Sequence, residues 1–381
     1  MMLLVLNAGS SSIKFALYRL PLSGKASHEG QIAGIGREPR LSIDGKQRAV
    51  AGAIADHAAA IALLLDWLEG QGHANKLAGV GHRVVHGGSQ FTQPVRVDDK
   101  AIEALAALSP LAPHHQPHNI AAIRAVAARL PKLLQIACFD TAFHATIPEE
   151  ARRLPLPAEY DARGVRRYGF HGLSYESIVA AMPALAGASP SRLIVAHLGN
   201  GASITAIKDG HSIATSMGFS TLDGLIMATR SGSIDPGVLL HLMREGRSLA
   251  EIEELLYNRS GLLGLSGLSA DMKTLLANTA PEAAMAVALY CYRINREIGS
   301  LAAALGGLDA LVFTGGVGEN AAPVRAQVCR NAGWLGIALD EKANASGGPR
   351  LTLPDSQISA WSIATDEQGI IARHTARLLG L

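Results

Sequence analysis

Three short stretches rich in Gly, Asn and Ser could handle phosphate: NAGSSSIK from Asn7, HLGNGAS from His197 and FTGGVGENA from Phe313. Each follows an apolar, strand-like run. Glycine at such places lets backbone N–H groups approach phosphate oxygens with no Cβ in the way, and Ser and Asn add neutral donors. One such turn is ordinary hairpin composition, whereas three in one chain point to a nucleotide cradle. The sequence lacks GxxxxGK followed by Ser or Thr, which excludes a Walker-type NTPase. A rival pattern is GxGxxA at Gly316, Gly318 and Ala321, between a strand and a helix with Asp340 downstream, as an NAD-dependent dehydrogenase would need. Only about 40 residues follow Asp340, too few to complete a dinucleotide domain, and the other two turns would go unexplained.

The elements that must position these turns read as α/β. Strand-like runs at 3–6, 80–85 and 133–139 alternate with helical stretches at 58–69, 102–108 and 120–130. A Pro- and Arg-rich passage from Ile147 to Arg167 breaks the pattern and is the expected domain junction. After it, LIVAHLGNGASITAIKDG from Leu193 echoes LLVLNAGSSSIKFALYRL from Leu3. That echo suggests a duplicated core, two copies facing one another across a cleft. The 381 residues exceed one ordinary core.

Apolar residues at 48% against 17% charged make a globular chain, and a net charge of +2 without basic runs marks neither nucleic acid nor an anionic membrane as partner. Cys138, Cys291 and Cys329 lie far apart, which suits packing in a reducing compartment. The start lacks a basic n-region, and no segment reaches about 18 uninterrupted apolar residues. A cytoplasmic location is expected.

The runs LNAGSSSIKF (Leu6), GHRVVHGG (Gly81), FDTAFH (Phe139), RRYGFHG (Arg166), HLGNGAS, TSMGF (Thr215), TRSG (Thr229), SGLLGLSGLSADMK (Ser260) and FTGGVGENA together resemble the acetate kinases of the acetate and sugar kinase/Hsp70/actin superfamily. The resemblance spans essentially the whole chain. It implies an α/β fold of two actin-like (ribonuclease H-like) lobes with a duplicated core and an interlobe cleft. The expected division is residues 1–147 plus 369–381 against 148–368. It also implies reversible phosphoryl transfer between ATP and acetate giving acetyl phosphate and ADP, with Mg²⁺ or a substituting Mn²⁺, in a homodimer built largely from the second half. A kinase of another short-chain acid such as propionate is the alternative.

Residue by residue, the resemblance assigns Arg83 to substrate carboxylate or phosphate and Arg230 to the transition state. Two anions must meet in such a reaction, and Arg supplies a rigid cationic fork. It makes His171 a donor to the transferring phosphoryl. Asp140 ends an apolar run; because a carboxylic acid titrating near ~4 is already ionised, no base is required, and Asp140 is expected to orient Arg83 or the Mg²⁺ shell. A sugar kinase would need a base, and FDTAFH argues against one. Asn7 and Glu367 resemble the magnesium positions, TDEQ standing where the family usually has TNEE. Lys14, His197, Leu198, Gly199, Asn200, Gly201, Asp271, Met272, Lys273, Gly315, Gly316, Val317, Gly318, Glu319 and Asn320 fall on nucleotide positions.

His115 matches a substrate-site histidine, and Val85 and Phe170 match apolar walls around the substrate methyl, where His114 and Thr221 replace a Leu and a Pro. His114, His115 and His118 could also be read as a metal cluster, but Pro113 and Pro117 argue against the helix that would converge them. Leu173, Tyr175 and Ser233 depart from the family's usual Thr, His and Asp, and Lys273 stands where Arg is frequent.

Overall fold

The computed structural model describes residues 1–50 and 52–381. The chain divides into two units, Met1–Phe143 with Asp366–Leu381, and His144–Thr365.

The first unit holds strands β1 (Met2–Ala8), β2 (Ser12–Arg19), β3 (His28–Ala33), β4 (Arg40–Ile43), β5 (Lys46–Arg48), β6 (Leu77–Val84), β7 (Val95–Arg96) and β8 (Gln135–Phe139). They form one sheet in the order β5-β4-β3-β2-β1-β6-β8-β7. Strands β1 to β5 run as an antiparallel meander, and β1, β6 and β8 are mutually parallel. The parallel strands are covered on both faces, so β1 reads as a continuous apolar run rather than an alternation. Met2, Leu4 and Leu6 pack with Ile61, Leu64 and Leu68 of the helix His57–Gly70 and with Val126 of the helix Gln116–Arg129.

The C-terminal helix Glu367–Leu379 packs on β1, β6 and β8. Two glycines in β6 make that seat. A Cβ on Gly79 would fall 2.3 Å from Leu379 Cδ1, and one on Gly81 would fall 2.3 Å from Thr375 Oγ1 and 2.6 Å from Ile371 Cγ2. With no side chains there, the helix lies flush on the strand and buries Ile370 and Ile371, each worth roughly 1.5–3 kcal/mol.

The second unit repeats the core. Strands β9 (Arg192–Leu198), β10 (Ala202–Lys208), β11 (His211–Thr215), β12 (Ala310–Thr314) and β13 (Ser359–Ser362) assemble as β11-β10-β9-β12-β13. The β9–β10 hairpin is antiparallel, while β12 is parallel to both β9 and β13. This is the arrangement of β2-β1-β6-β8, so the two units are copies of one actin-like α/β core. The helix Pro281–Leu305 packs on β9, β10 and β11 through a stripe that includes Ala283, Ala286, Tyr290, Ile294, Ile298 and Leu301, spaced at three and four residues.

Two local expectations change, and the rival dinucleotide pattern finds no support. A helix does begin among the clustered histidines, at Gln116 with Pro117 in its first turn, where a missing N–H costs nothing. FTGGVGENA is not an open turn: Gly315–Asn320 is helical immediately after β12, entered through Gly315 at φ +78°. The dehydrogenase pattern also fails, because β9, β10 and β11 are antiparallel neighbours. Asp340 caps the helix Glu341–Ser346 by accepting from the N–H groups of Lys342 and Ala343, so it is not a ribose ligand at a strand end.

Candidate active site

In the first unit, Asn7, Arg83 and Asp140 come from the carboxyl ends of the adjacent parallel strands β1, β6 and β8, where α/β sheets present ligand sites. Arg83 Nε donates to Asp140 Oδ1 at 2.8 Å, Nη2 to Oδ2 at 2.5 Å, and Nη1 to Asn7 Oδ1 at 3.1 Å. Glu367 opens the C-terminal helix and lies 4.0 Å from Arg83 Nε, placed there by the glycine seat of β6. Burial pulls the Arg83 guanidinium pKa down, but the charges of Asp140 and then Glu367, with the Asp140 hydrogen bonds, reverse this and raise it. The result is a fixed cation. Lys14 pairs with Asn7 across β1 and β2 and is exposed.

Buried amides hold the loop after β6. Val85 N–H donates to Asn119 Oδ1 at 3.0 Å, and Asn119 Nδ2 donates to the Ala8 carbonyl at 2.7 Å. His86 exchanges two bonds with the Gln116 amide, and Gly87 N–H donates to Thr141 Oγ1 at 3.0 Å. Gln116 and Asn119 were not singled out by sequence; the available signal was two amides on the helix face continued by Ile120 and Ile123. Val85 is buried, His115 half-buried and His114 exposed.

In the second unit, His171 takes a left-handed conformation, φ +59°, at the start of the helix Gly172–Ala186. Its Nδ1 is 2.8 Å from Ser203 Oγ, which the Tyr175 hydroxyl also meets in a short hydrogen bond. Its ring stacks on His197 with centroids 4.2 Å apart, and His197 Nδ1 lies 2.8 Å from Ser174 Oγ. Arg230 Nη1 donates to the Thr221 carbonyl at 2.7 Å. Gly201 is where these groups converge: a Cβ there would lie 3.2 Å from Arg230 Nη2 and 3.4 Å from His171 Nε2. Backbone bonds from Ser231 N–H to Leu256 O and from Ser260 N–H to Thr229 O tie the Arg230 segment to the helix Leu249–Asn258 and the residues after it.

Not every candidate presents a side chain. Phe170, Leu198 and Met272 are buried. Asp271 caps the helix Met272–Ala277 through Thr274, and those hydrogen bonds hold its carboxyl below the usual range. Glu319 turns back on its own helix, accepting from Gly315 N–H at 2.9 Å and Thr365 N–H at 3.2 Å. Asn320 Nδ2 donates to the Gly316 carbonyl. The His197 and Phe313 motifs do meet: β9 and β12 pair through His197 and Thr314, and a Cβ on Gly315 would fall 2.7 Å from the Leu198 carbonyl. Asp271 to Lys273 belong to a separate helix. Arg325, absent from the sequence candidates, is fully buried and holds the Gly315–Asn320 helix through the carbonyls of Gly318 and Glu319.

Residues 2–373 match the model of the acetokinase family. An acetate kinase of Rhodopseudomonas palustris (strain TIE-1) is 54% identical over 389 residues, covering 99% of this chain and 98% of that protein. One from Methylocella silvestris is 46% identical over 393 residues, covering 99% and 97%. Among solved structures, Porphyromonas gingivalis acetate kinase superposes with a TM-score of 0.91 at 38% identity over 99% of both chains. A propionate kinase from Francisella tularensis superposes with a TM-score of 0.94 at 36% identity, again over 99% of both. With two copies of the actin-like core, an Arg–Asp–Asn–Glu cluster in one and an Arg–His cluster in the other, and a family match from the first strand into the last helix, this chain belongs to the acetokinase family.

Proposed function

We propose that the protein is an acetate kinase, transferring a phosphoryl group reversibly between ATP and the carboxylate of acetate. The full-length similarity to acetate kinases carries this reading. The side-chain chemistry supports it in detail. Both carboxylate oxygens of Asp140 are committed to Arg83. That arrangement is poor for a general base and good for aiming a guanidinium fork, and a carboxylate acceptor needs no deprotonation. Arg83 binds the acceptor anion, while Arg230 and His171 neutralise charge on the transferring group. The Gly-rich segments at His197 and Gly315 supply backbone donors to the nucleotide.

Asn7 and Glu367 suit Mg²⁺, which takes few protein oxygens and completes its shell with water and phosphate. An amide oxygen has two lone pairs, so Asn7 Oδ1 can keep its bond to Arg83 and still meet a cation. When bound, the ion neutralises and orients the phosphates. We also assign a cytoplasmic homodimer. Among the described residues no helix is long and apolar enough to cross a membrane. Val238, Leu240 and Met243 on the helix Pro236–Arg244, with Leu249 beside it, are exposed apolar residues that a second copy would cover.

Purified protein should form hydroxylamine-trappable acyl phosphate only with ATP, Mg²⁺ and acetate together, and should not oxidise NADH. Propionate belongs in the same assay, since a propionate kinase shares the fold at 36% identity. Absence of acyl phosphate with either acid would overturn the reading.

A further inference from the structure

Tyr175 is wholly buried yet ends at the hydrogen-bonding system of His171, and the reaction as described leaves it without a task. The two residues are one helical turn apart, with Tyr175 N–H donating to the His171 carbonyl at 3.1 Å. Between their side chains stands Ser203 Oγ of β10, bonded to the phenol on one side and to His171 Nδ1 on the other. A serine hydroxyl has one hydrogen and can donate to only one of them.

The choice follows from acid strength. A phenol is a better donor and poorer acceptor than an alkyl hydroxyl, and an imidazole nitrogen is the best acceptor of the three. Tyr175 therefore donates to Ser203, and Ser203 donates to His171 Nδ1. Burial, ahead of any other influence, raises the Tyr175 pKa, so the phenol keeps the proton it must donate.

We infer that Tyr175, acting through Ser203, is a positioning residue that holds neutral His171 in its Nε2–H tautomer and so aims a donor at the place where Arg230 Nη2 converges over Gly201. Two donors converging there define a place for an anionic oxygen. The inference rests on the reading of His171 as a donor to the transferring phosphoryl. Among the described residues, the titratable or charged groups facing His171 include His197 stacked on it, Arg230 and Tyr175, with His144 behind Tyr175 at a ring separation of 5.5 Å. Burial lowers His144 to about 4, opposed by its bond to the Phe170 carbonyl, so it stays neutral in the range tested.

The test is Tyr175→Phe, with Ser203→Ala as a second variant, read by ¹⁵N NMR of histidine-labelled protein without substrates and by the pH profile of kcat. The His171 signals are assigned by their loss in His171→Gln. Wild type at pH 8.5 should show the Nε2–H form. In Tyr175→Phe, Ser203 is released to accept instead, so Nδ1–H should become populated and kcat at pH 8.5 should fall about tenfold, the scale of one hydrogen-bond preference. At a lower pH where the same ¹⁵N spectra show His171 protonated, the deficit should shrink to about twofold or less, because a protonated imidazole carries both hydrogens and no tautomer choice remains.

An Nδ1–H wild type, or a Tyr175→Phe protein with unchanged tautomer, overturns the inference. So does a loss of kcat that is equal at both pH values, which would mark a structural role. A shifted tautomer with unchanged kcat upholds the role of Tyr175 and overturns the donor role of His171 instead.

Discussion

Arg83 and Asp140 face each other as a two-pronged pair, Nε to Oδ1 at 2.8 Å and Nη2 to Oδ2 at 2.5 Å, with Asp140 only 1% exposed. Asp140→Asn keeps the shape and removes the charge, leaving the guanidinium beside a neutral amide that offers one acceptor instead of two. Breaking a buried pair of this kind costs about 3–5 kcal/mol, less here because Arg83 keeps 22% side-chain exposure. The variant should show a lower Tm and a kcat reduced by about 100-fold. Its pH–rate profile should keep any acid limb that wild type shows. An acid limb present in wild type and abolished in the variant would restore a general-base role. Nucleotide affinity should survive, because the Gly-rich segments at His197 and Gly315 belong to the other unit. Its collapse would refute the assignment of Asp140.

Arg230 is anchored at one nitrogen by the Thr221 carbonyl, which leaves the rest of the fork to meet Gly201 and a ligand. Arg230→Ala and Arg83→Ala should each cut kcat by at least about 100-fold, the usual cost of one transition-state charge partner. Arg230→Lys should recover little, because a point charge cannot hold the Thr221 carbonyl and a phosphoryl oxygen in one plane. Full activity in both alanine variants would sink the mechanism.

Much of this was legible in the sequence because of how these sheets are buried. Strands β1, β6, β8, β9 and β12 are mostly buried, so they read mainly as apolar runs, and the motif residues lie at or just past their carboxyl ends. Strands β3, β4 and β5 were not legible. HEGQIA, RLSI and KQR are polar and partly exposed, and their pairing depends on the meander they form. Pro117 masked a helix start, since proline is tolerated in the first turn as readily as it breaks a later one. The supports of the site were the least visible part. Asn119 reaches Ala8 across 111 residues and Tyr175 reaches Ser203 across 28, and no local spacing announces either bond.

Glu367 reaches the Arg83 cluster because the C-terminal helix rests on Gly79 and Gly81. Glu367→Gln should raise the Mg²⁺ concentration for half-maximal activity at least tenfold while leaving KM for acetate within about twofold, since a carboxylate outweighs an amide as a Mg²⁺ ligand. Gly81→Val should do the same indirectly by lifting the helix, with a loss of Tm that Glu367→Gln does not share. An unchanged Mg²⁺ requirement in Glu367→Gln would remove Glu367 from the metal site.

Three buried histidines make stability depend on pH. Burial lowers His82, His86 and His144 to about 4, partly opposed by the Gln135 amide for His82 and the Phe170 carbonyl for His144. In the unfolded chain they bind protons below about 6.5. The unfolded state therefore holds more protons between about pH 6.5 and 4, and stability falls as pH falls through that window and levels off below it. Each site contributes at most roughly 3 kcal/mol of this loss. His82→Gln should flatten the drop in Tm between pH 6.5 and 4.5. A variant with the wild-type slope would show that His82 is not buried neutral.

The acyl pocket gives the last test. By resemblance Val85 and Phe170 stand at the family's apolar acyl-binding positions, with His114 and Thr221 in place of a Leu and a Pro. Val85 is buried and its N–H is fixed by Asn119. His114 is exposed just ahead of the helix Gln116–Arg129, and Thr221 contributes its carbonyl to Arg230. A methylene buried against a fully apolar wall is worth ~0.8 kcal/mol, and a polar wall returns less. Acetate should therefore bind with an elevated KM, and propionate and butyrate should gain nothing from their longer chains. The methyl group is covered equally before and during transfer, so the effect should fall on KM and not on kcat. His114→Leu with Thr221→Pro should lower KM for acetate several-fold and improve propionate more than acetate. Proline keeps a carbonyl at position 221, so the bond to Arg230 survives and kcat should hold within about twofold. A double variant with unchanged KM and an unchanged acetate-to-propionate ratio would show that these two side chains do not line the pocket, and a collapse of kcat would show that the Thr221 backbone does more than hold Arg230.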